Sequence, residues 1–171
     1  MGFLGRGANQ PEGERFHMRE KLLAIGDDYW IENDRGERAY RVDGKAFRLR
    51  RTFVLEDASG EEVARIQERK LSIRDKIAIE HHGATAATVH KALVGIRDRF
   101  AIDVAHGANL KAHGRVGDHE YKIERDGDTV ATISKKWFRV RESYGVDVAA
   151  GENAALILAI TVAIDSLTSR D

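Results

Sequence analysis

Ala154-Ala155-Leu156-Ile157-Leu158-Ala159-Ile160-Thr161-Val162-Ala163-Ile164 runs for eleven residues with one hydroxyl and no charge. As a helix this stretch is apolar on every side, so a single packing surface cannot cover it. It is also well short of the ~20 apolar residues that a helix needs to cross a bilayer. A sheet closed around it covers every side at once. Working outward, Asn153 is placed to cap the helix start, and Glu152 suits the positive end of the helix dipole. The helix is expected to run to about Leu167, with Asp165, Ser166 and Thr168 marking its emergence into water.

Upstream of the helix the chain has the rhythm of an all-β barrel. Asn33-Asp34-Arg35-Gly36, Asp57-Ala58-Ser59-Gly60, His82-Gly83 and Asp126-Gly127-Asp128 each contain a residue tolerant of positive φ. Between them the chain alternates. Ile77 and Ile79 oppose Ala78 and Glu80, Phe100 and Ile102 oppose Ala101 and Asp103, and Tyr121 and Ile123 oppose Lys122 and Glu124. Period-two patterning with one wet face describes antiparallel strands that bury one side. The phase breaks after Ile133: keeping both Ile133 and Phe138 inside requires a bulge or a strand end near Lys135-Lys136. The single proline, Pro11, lies where it disturbs no pairing. The expected fold is mainly β, a closed antiparallel β-barrel of about twelve strands around a hydrophobic C-terminal α-helix.

A chain of 171 residues suits one domain. Residues 1–15, rich in glycine and poor in apolar side chains, read as a flexible tail, and 16–171 as the single barrel domain. Phe3-Leu4 is too short for a signal-peptide core, and Arg6 stands where a myristoylation motif wants Ser or Thr. With no cysteine, disulfides and thiolate chemistry are excluded, which fits a reducing, cytoplasmic setting. Lysine plus arginine equal aspartate plus glutamate at 28 each, so no global basic field exists for nucleic acid.

Several segments, in order, carry a family resemblance. Arg19-Glu20-Lys21 leads into Gly26-Asp27-Asp28-Tyr29-Trp30-Ile31, and Val42-Asp43-Gly44-Lys45-Ala46-Phe47-Arg48-Leu49-Arg50 into Leu55-Glu56-Asp57-Ala58-Ser59-Gly60. Ile133-Ser134-Lys135-Lys136-Trp137-Phe138 and Tyr144-Gly145-Val146-Asp147-Val148 precede the apolar helix. As a set they resemble the LURP-one-related family, of the compact bacterial kind, within the Tubby C-terminal-like superfamily. The resemblance implies a closed barrel threaded by a hydrophobic helix and leaves the biochemistry open. The superfamily is also similar to phosphoinositide-binding Tubby domains and to phospholipid scramblases. Function on such a fold has to be argued from a site.

Two basic–aromatic clusters are the strongest local signal. Lys45, Arg48, Arg50 and Arg51 surround Phe47 and Leu49, and Lys135, Lys136, Arg139 and Arg141 surround Trp137 and Phe138. Guanidinium forks suit phosphate oxygens, and an aromatic between them can enter an interface. Strand spacing would put Trp137, Arg139 and Arg141 on one face. The plain alternative is a solvated barrel exterior whose arginines meet carboxylates.

Seven histidines offer no helical chelating spacing, and His81 and His82, adjacent on a strand, should point to opposite sides. They read as surface or turn residues, and no metal site is expected. The acidic turns lack the ligand order of a calcium loop. No nucleophile elbow or phosphate loop occurs, and the lumen is filled by the helix, so no catalytic residue and no cofactor is assigned. The reading is a non-enzymatic binding or scaffold module, taking anionic phospholipid headgroups or phosphorylated ligands through the basic–aromatic clusters, at a membrane surface or on a protein partner. The alternatives are a nucleic-acid or transcription-linked module, which the neutral charge argues against, and an enzyme with a polar cleft at a barrel mouth.

Overall fold

A computed structural model describes residues 13–19, 28–45, 52–69, 76–92, 99–137 and 142–168. They form twelve strands: β1 (Glu14–Arg19), β2 (Asp28–Asn33), β3 (Arg38–Lys45), β4 (Thr52–Asp57), β5 (Glu62–Arg69), β6 (Lys76–His81), β7 (Ala84–Lys91), β8 (Arg99–Val104), β9 (Leu110–Arg115), β10 (Glu120–Arg125), β11 (Asp128–Ser134) and β12 (Ser143–Val148). Each strand pairs antiparallel with its sequence neighbours, and β1 also pairs with β12, closing the barrel without an edge. The strand begins two residues inside the segment read as tail, because Glu14 and Arg15 already face Val148 and Asp147. One helix, α1 (Ala154–Thr168), fills the lumen, and no helix among the described residues is long and apolar enough to cross a membrane.

Alternation sets what faces inward. Phe16, Met18, Ile31, Leu55, Ile66, Ile79, Val89, Ile102, Ala112, Ile123, Ile133 and Val146 line the lumen and are buried, as is the helix from Ile157 to Leu167. At 1.5 Å per residue the helix is about 22 Å long, the rise of about seven strand residues, so it threads the barrel from end to end. It packs against β5, β6 and β7, where Ala64 and Ala87 leave room for it. Its start is fixed as the sequence suggests: Asn153 Oδ1 accepts the Leu156 N–H at 3.1 Å. Arg125 holds Glu152 through two bonds of 2.7 and 3.0 Å, tying that start to β10.

Two hairpins share one construction. Asn33 Oδ1 accepts the N–H groups of Arg35 and Glu37, and Asp57 Oδ1 those of Ser59 and Glu61. In both, a strand bulge precedes the turn, at Ile31/Glu32 and Leu55/Glu56. The expected break after Ile133 is a strand end, β11 stopping at Ser134.

One glycine decides how the wall is filled. Gly114 pairs with Tyr121 at φ +138°, and a Cβ there would stand 2.7 Å from the Glu120 carbonyl oxygen and 2.8 Å from Tyr121 Cα. Gly114→Ala is expected to cost about 1–3 kcal/mol through strained backbone and overpacking. Urea denaturation is the measurement, with Gly117→Ala, where nothing lies within 4 Å of the added Cβ, as the control.

Candidate functional site

The two ends of the barrel differ in chemistry. Odd-numbered strands all run toward one end, where β3 finishes at Lys45 and β11 at Ser134. Both basic clusters therefore begin at the same end. Lys135, Lys136 and Trp137 follow β11 directly, whereas Arg48, Arg50, Arg51, Arg139 and Arg141 lie outside the described residues. In sequence, 46–51 carries three arginines and no acid, and 135–142 carries two lysines and two arginines against Glu142. The opposite end is made of tight turns bearing Asp34, Glu37, Glu61, Asp126 and Glu152 against Arg35. Among the described residues, Lys45, Lys135 and Lys136 thus lie at one end of the barrel and these acidic turns at the other.

The first residues of the β11 cluster are held in place. Glu120 Oε1 accepts the Ser134 hydroxyl and the Lys135 N–H, each at 3.0 Å, and the Lys136 N–H donates to Ser134 Oγ at 3.1 Å. The Arg15 guanidinium lies 4.2 Å from the centre of the Trp137 ring, a cation–π contact that packs the indole against β1. Trp137 therefore stands in a turn beyond the strand end and is half-buried; the expected shared face with Arg139 and Arg141 lies outside the described residues.

Inside the same end, polar groups converge in a way the sequence does not announce. Asp165 and Ser166, expected to emerge into water, are 6% and 0% exposed. Tyr144, on β12, donates its hydroxyl to Asp165 Oδ2. His119 follows a short 3-10 turn, Val116–Asp118, in left-handed conformation. It brings Nε2 to 3.3 Å from Asp165 Oδ1 and stacks on Tyr144 at 4.3 Å between centres. It is 8% exposed, so the turn histidine is a buried one. Tyr29 from β2 and Tyr121 from β10 complete the group, with Thr161 of the helix beside Tyr121.

Burial first, and the Asp165 carboxylate second, push the pKa values of Tyr29, Tyr121 and Tyr144 far above the usual phenol range. All three remain protonated donors. The Tyr29 hydroxyl is buried without a hydrogen-bond partner among the described residues. A carboxylate, a histidine and phenols at one barrel mouth are what an enzyme there would need. Here Tyr144 and His119 meet Asp165 of the helix, which ties α1 to β12 and to the turn after β9.

The other histidines are scattered. His82 takes a left-handed turn conformation, so its ring folds to 4.0 Å from that of His81 instead of pointing to the opposite side. His81 Nδ1 lies 2.7 Å from the Val63 carbonyl oxygen, and His113 Nε2 2.9 Å from Glu124 Oε2.

Comparison with known proteins adds family and fold. A family model described as LURP-one-related matches residues 14–165. The uncharacterized protein YxjI of Bacillus subtilis (strain 168) is 25% identical over 106 residues, which span 62% of this chain and 64% of that protein's length. The X-ray structure of the Arabidopsis thaliana protein AT5G01750 superposes with a TM-score of 0.69 over 92% of this chain and 93% of that one, at 16% identity.

Proposed function

This chain belongs to the LURP-one-related family, and from that premise we propose that it is a non-enzymatic binding module whose basic end takes the headgroups of an anionic phospholipid surface. The observation that carries the reading is strand direction. β3 and β11 deliver Lys45 and Lys135-Lys136 to one end of the barrel, and the acidic turns occupy the other. A neutral protein built this way meets a negative surface with one end only, and the acidic end opposes the reverse orientation. Arg48, Arg50, Arg51, Arg139 and Arg141 follow in sequence from those strand ends and supply the remaining charge, with Trp137 as the aromatic at the boundary. In this reading the protein sits peripherally at a membrane.

Co-sedimentation with vesicles of neutral phosphatidylcholine, with and without phosphatidylserine, tests it. Wild type is expected to pellet with the anionic vesicles alone and to be released by salt. Each basic residue near such a surface contributes about 1 kcal/mol, so Arg48→Glu/Arg50→Glu and Arg139→Glu/Arg141→Glu should each weaken binding by at least about tenfold. Equal pelleting of all variants, or none of wild type, overturns the proposal.

A further inference from the structure

The seams that close the barrel are unequal. β1 pairs with β12 at all six of its residues, from Glu14–Val148 to Arg19–Ser143. With β2 it pairs only at Phe16–Asn33 and His17–Glu32. Among the described residues the ladder stops there, and Met18 and Arg19 have no rung to Ile31 or Trp30. At the same end, β2–β3 and β3–β4 continue to Asp28–Asp43 and Lys45–Thr52. The weakness belongs to this seam, not to that end of the barrel.

Both ends of the seam fit a place that parts. Beside its paired half, at the mouth that carries the tight turns, lies a cavity of about 420 Å³ with Phe16, Asn33 and Tyr40 among its lining. Inside, behind the unpaired half, Tyr29 holds its unbonded hydroxyl toward the Asp165 group. His17, on the last rung, is half-buried on the outer face. Arg15 and Arg19 flank it on β1, and Glu32 faces it from β2. From β12 its partner is Gly145, which brings no side chain, and Asp147 beyond it is 3.7 Å from Arg15. Burial lowers the affinity of His17 for a proton more than Glu32 raises it, and Arg19 lowers it further.

We infer that the β1–β2 seam is where the closed barrel opens, with β1 staying on β12, and that proton uptake by His17 favours the open form. In the closed form an imidazolium at residue 17 is partly stripped of water between two arginines. In the open form it is hydrated. The closed form therefore binds the proton less tightly, so closure is fully favoured above about pH 6.5, the ordinary histidine value, and weakens as pH falls. Opening here gives Tyr29 and Asp165 a route to solvent while the other ladders stay paired.

Amide hydrogen exchange, corrected for intrinsic rates and compared at pH 7.5 and 5.5, reads the opening residue by residue. The amides of His17 and Glu32, which face each other across this seam, are expected to exchange faster than those of the β6–β7 ladder. Their opening should grow on acidification by at most about tenfold per pH unit, the limit for one linked proton. His17→Gln should keep the fast exchange and lose its pH response. Because the chain has no cysteine, His17→Cys/Glu32→Cys can be oxidised to a single cross-link at the rung. That cross-link should slow exchange at Tyr29 and Asp165, and reduction should restore it. Seam amides as protected as those of β6–β7, an unchanged pH response in His17→Gln, or no slowing on cross-linking would each overturn the inference.

Discussion

Ile160→Asp is expected to yield no folded protein. Ile160 is fully buried at the middle of α1, with the barrel wall on every side. A carboxylate there either loses its hydration or takes up a proton, and both cost several kcal/mol. A domain of this size holds only about 5–15 kcal/mol of net stability. Ile160→Val removes one methylene and should cost about 0.5–1.5 kcal/mol, so loss of shape alone is separable from loss of solvation. Circular dichroism and size-exclusion chromatography of the three proteins check this. A soluble, fully folded Ile160→Asp protein would mean that the helix lies on a surface.

Asp165→Ala is expected to be the second most damaging substitution, although it replaces a charged residue near the end of the chain. One turn and a residue beyond Ile160, the same barrel accepts a carboxylate because Tyr144 donates to one oxygen and His119 approaches the other. Removing Asp165 leaves the Tyr144 hydroxyl and the His119 ring buried without it. Breaking a buried polar pair from one side costs about 3–5 kcal/mol. Tyr144→Phe takes the donor from one carboxylate oxygen but leaves His119 at the other, and should cost less, about 1.5–3 kcal/mol. The double variant should fall short of the sum of the two, the signature of direct coupling in a double-mutant cycle. Urea midpoints of the four proteins measure it, and Asp165→Ala within about 0.5 kcal/mol of wild type would show that the group does not hold the helix.

The contrast between residues 160 and 165 shows how far the sequence can be read. Hydrophobicity along α1 identifies Ile160 as interior, and the polar run Asp165-Ser166 looks like an exit to water. The barrel continues past that point, and its wall at that height is tyrosine instead of aliphatic. Tyr121 and Tyr144 are visible in sequence as inward-phased strand residues, but nothing local shows that their hydroxyls reach one carboxylate. His119 is harder still, because a left-handed residue after a 3-10 turn has no periodicity to place it. A useful signal does exist. Polar residues that continue the inward phase of a strand or helix at one end of a closed barrel are candidates for one another.

The basic clusters were legible as composition, and strand direction brings the ends of β3 and β11 to one side. Their common end follows from antiparallel order, which alternation with tight turns already implies. All five of their arginines lie outside the described residues, and the membrane test addresses their charge.

The sequence by itself determined a barrel around a helix. Period-two alternation assigns each strand residue to one face, turn residues set the hairpins, and an all-apolar helix requires cover on every side. Only the tertiary structure decided which polar groups are interior and where the wall is weakest. Closure brings Tyr29, His119, Tyr121, Tyr144 and Asp165 to one mouth, and among the described residues it leaves β1 and β2 joined by two rungs. Both outcomes depend on contacts between distant parts of the chain. Local periodicity, which records only inside and outside, carries no trace of either.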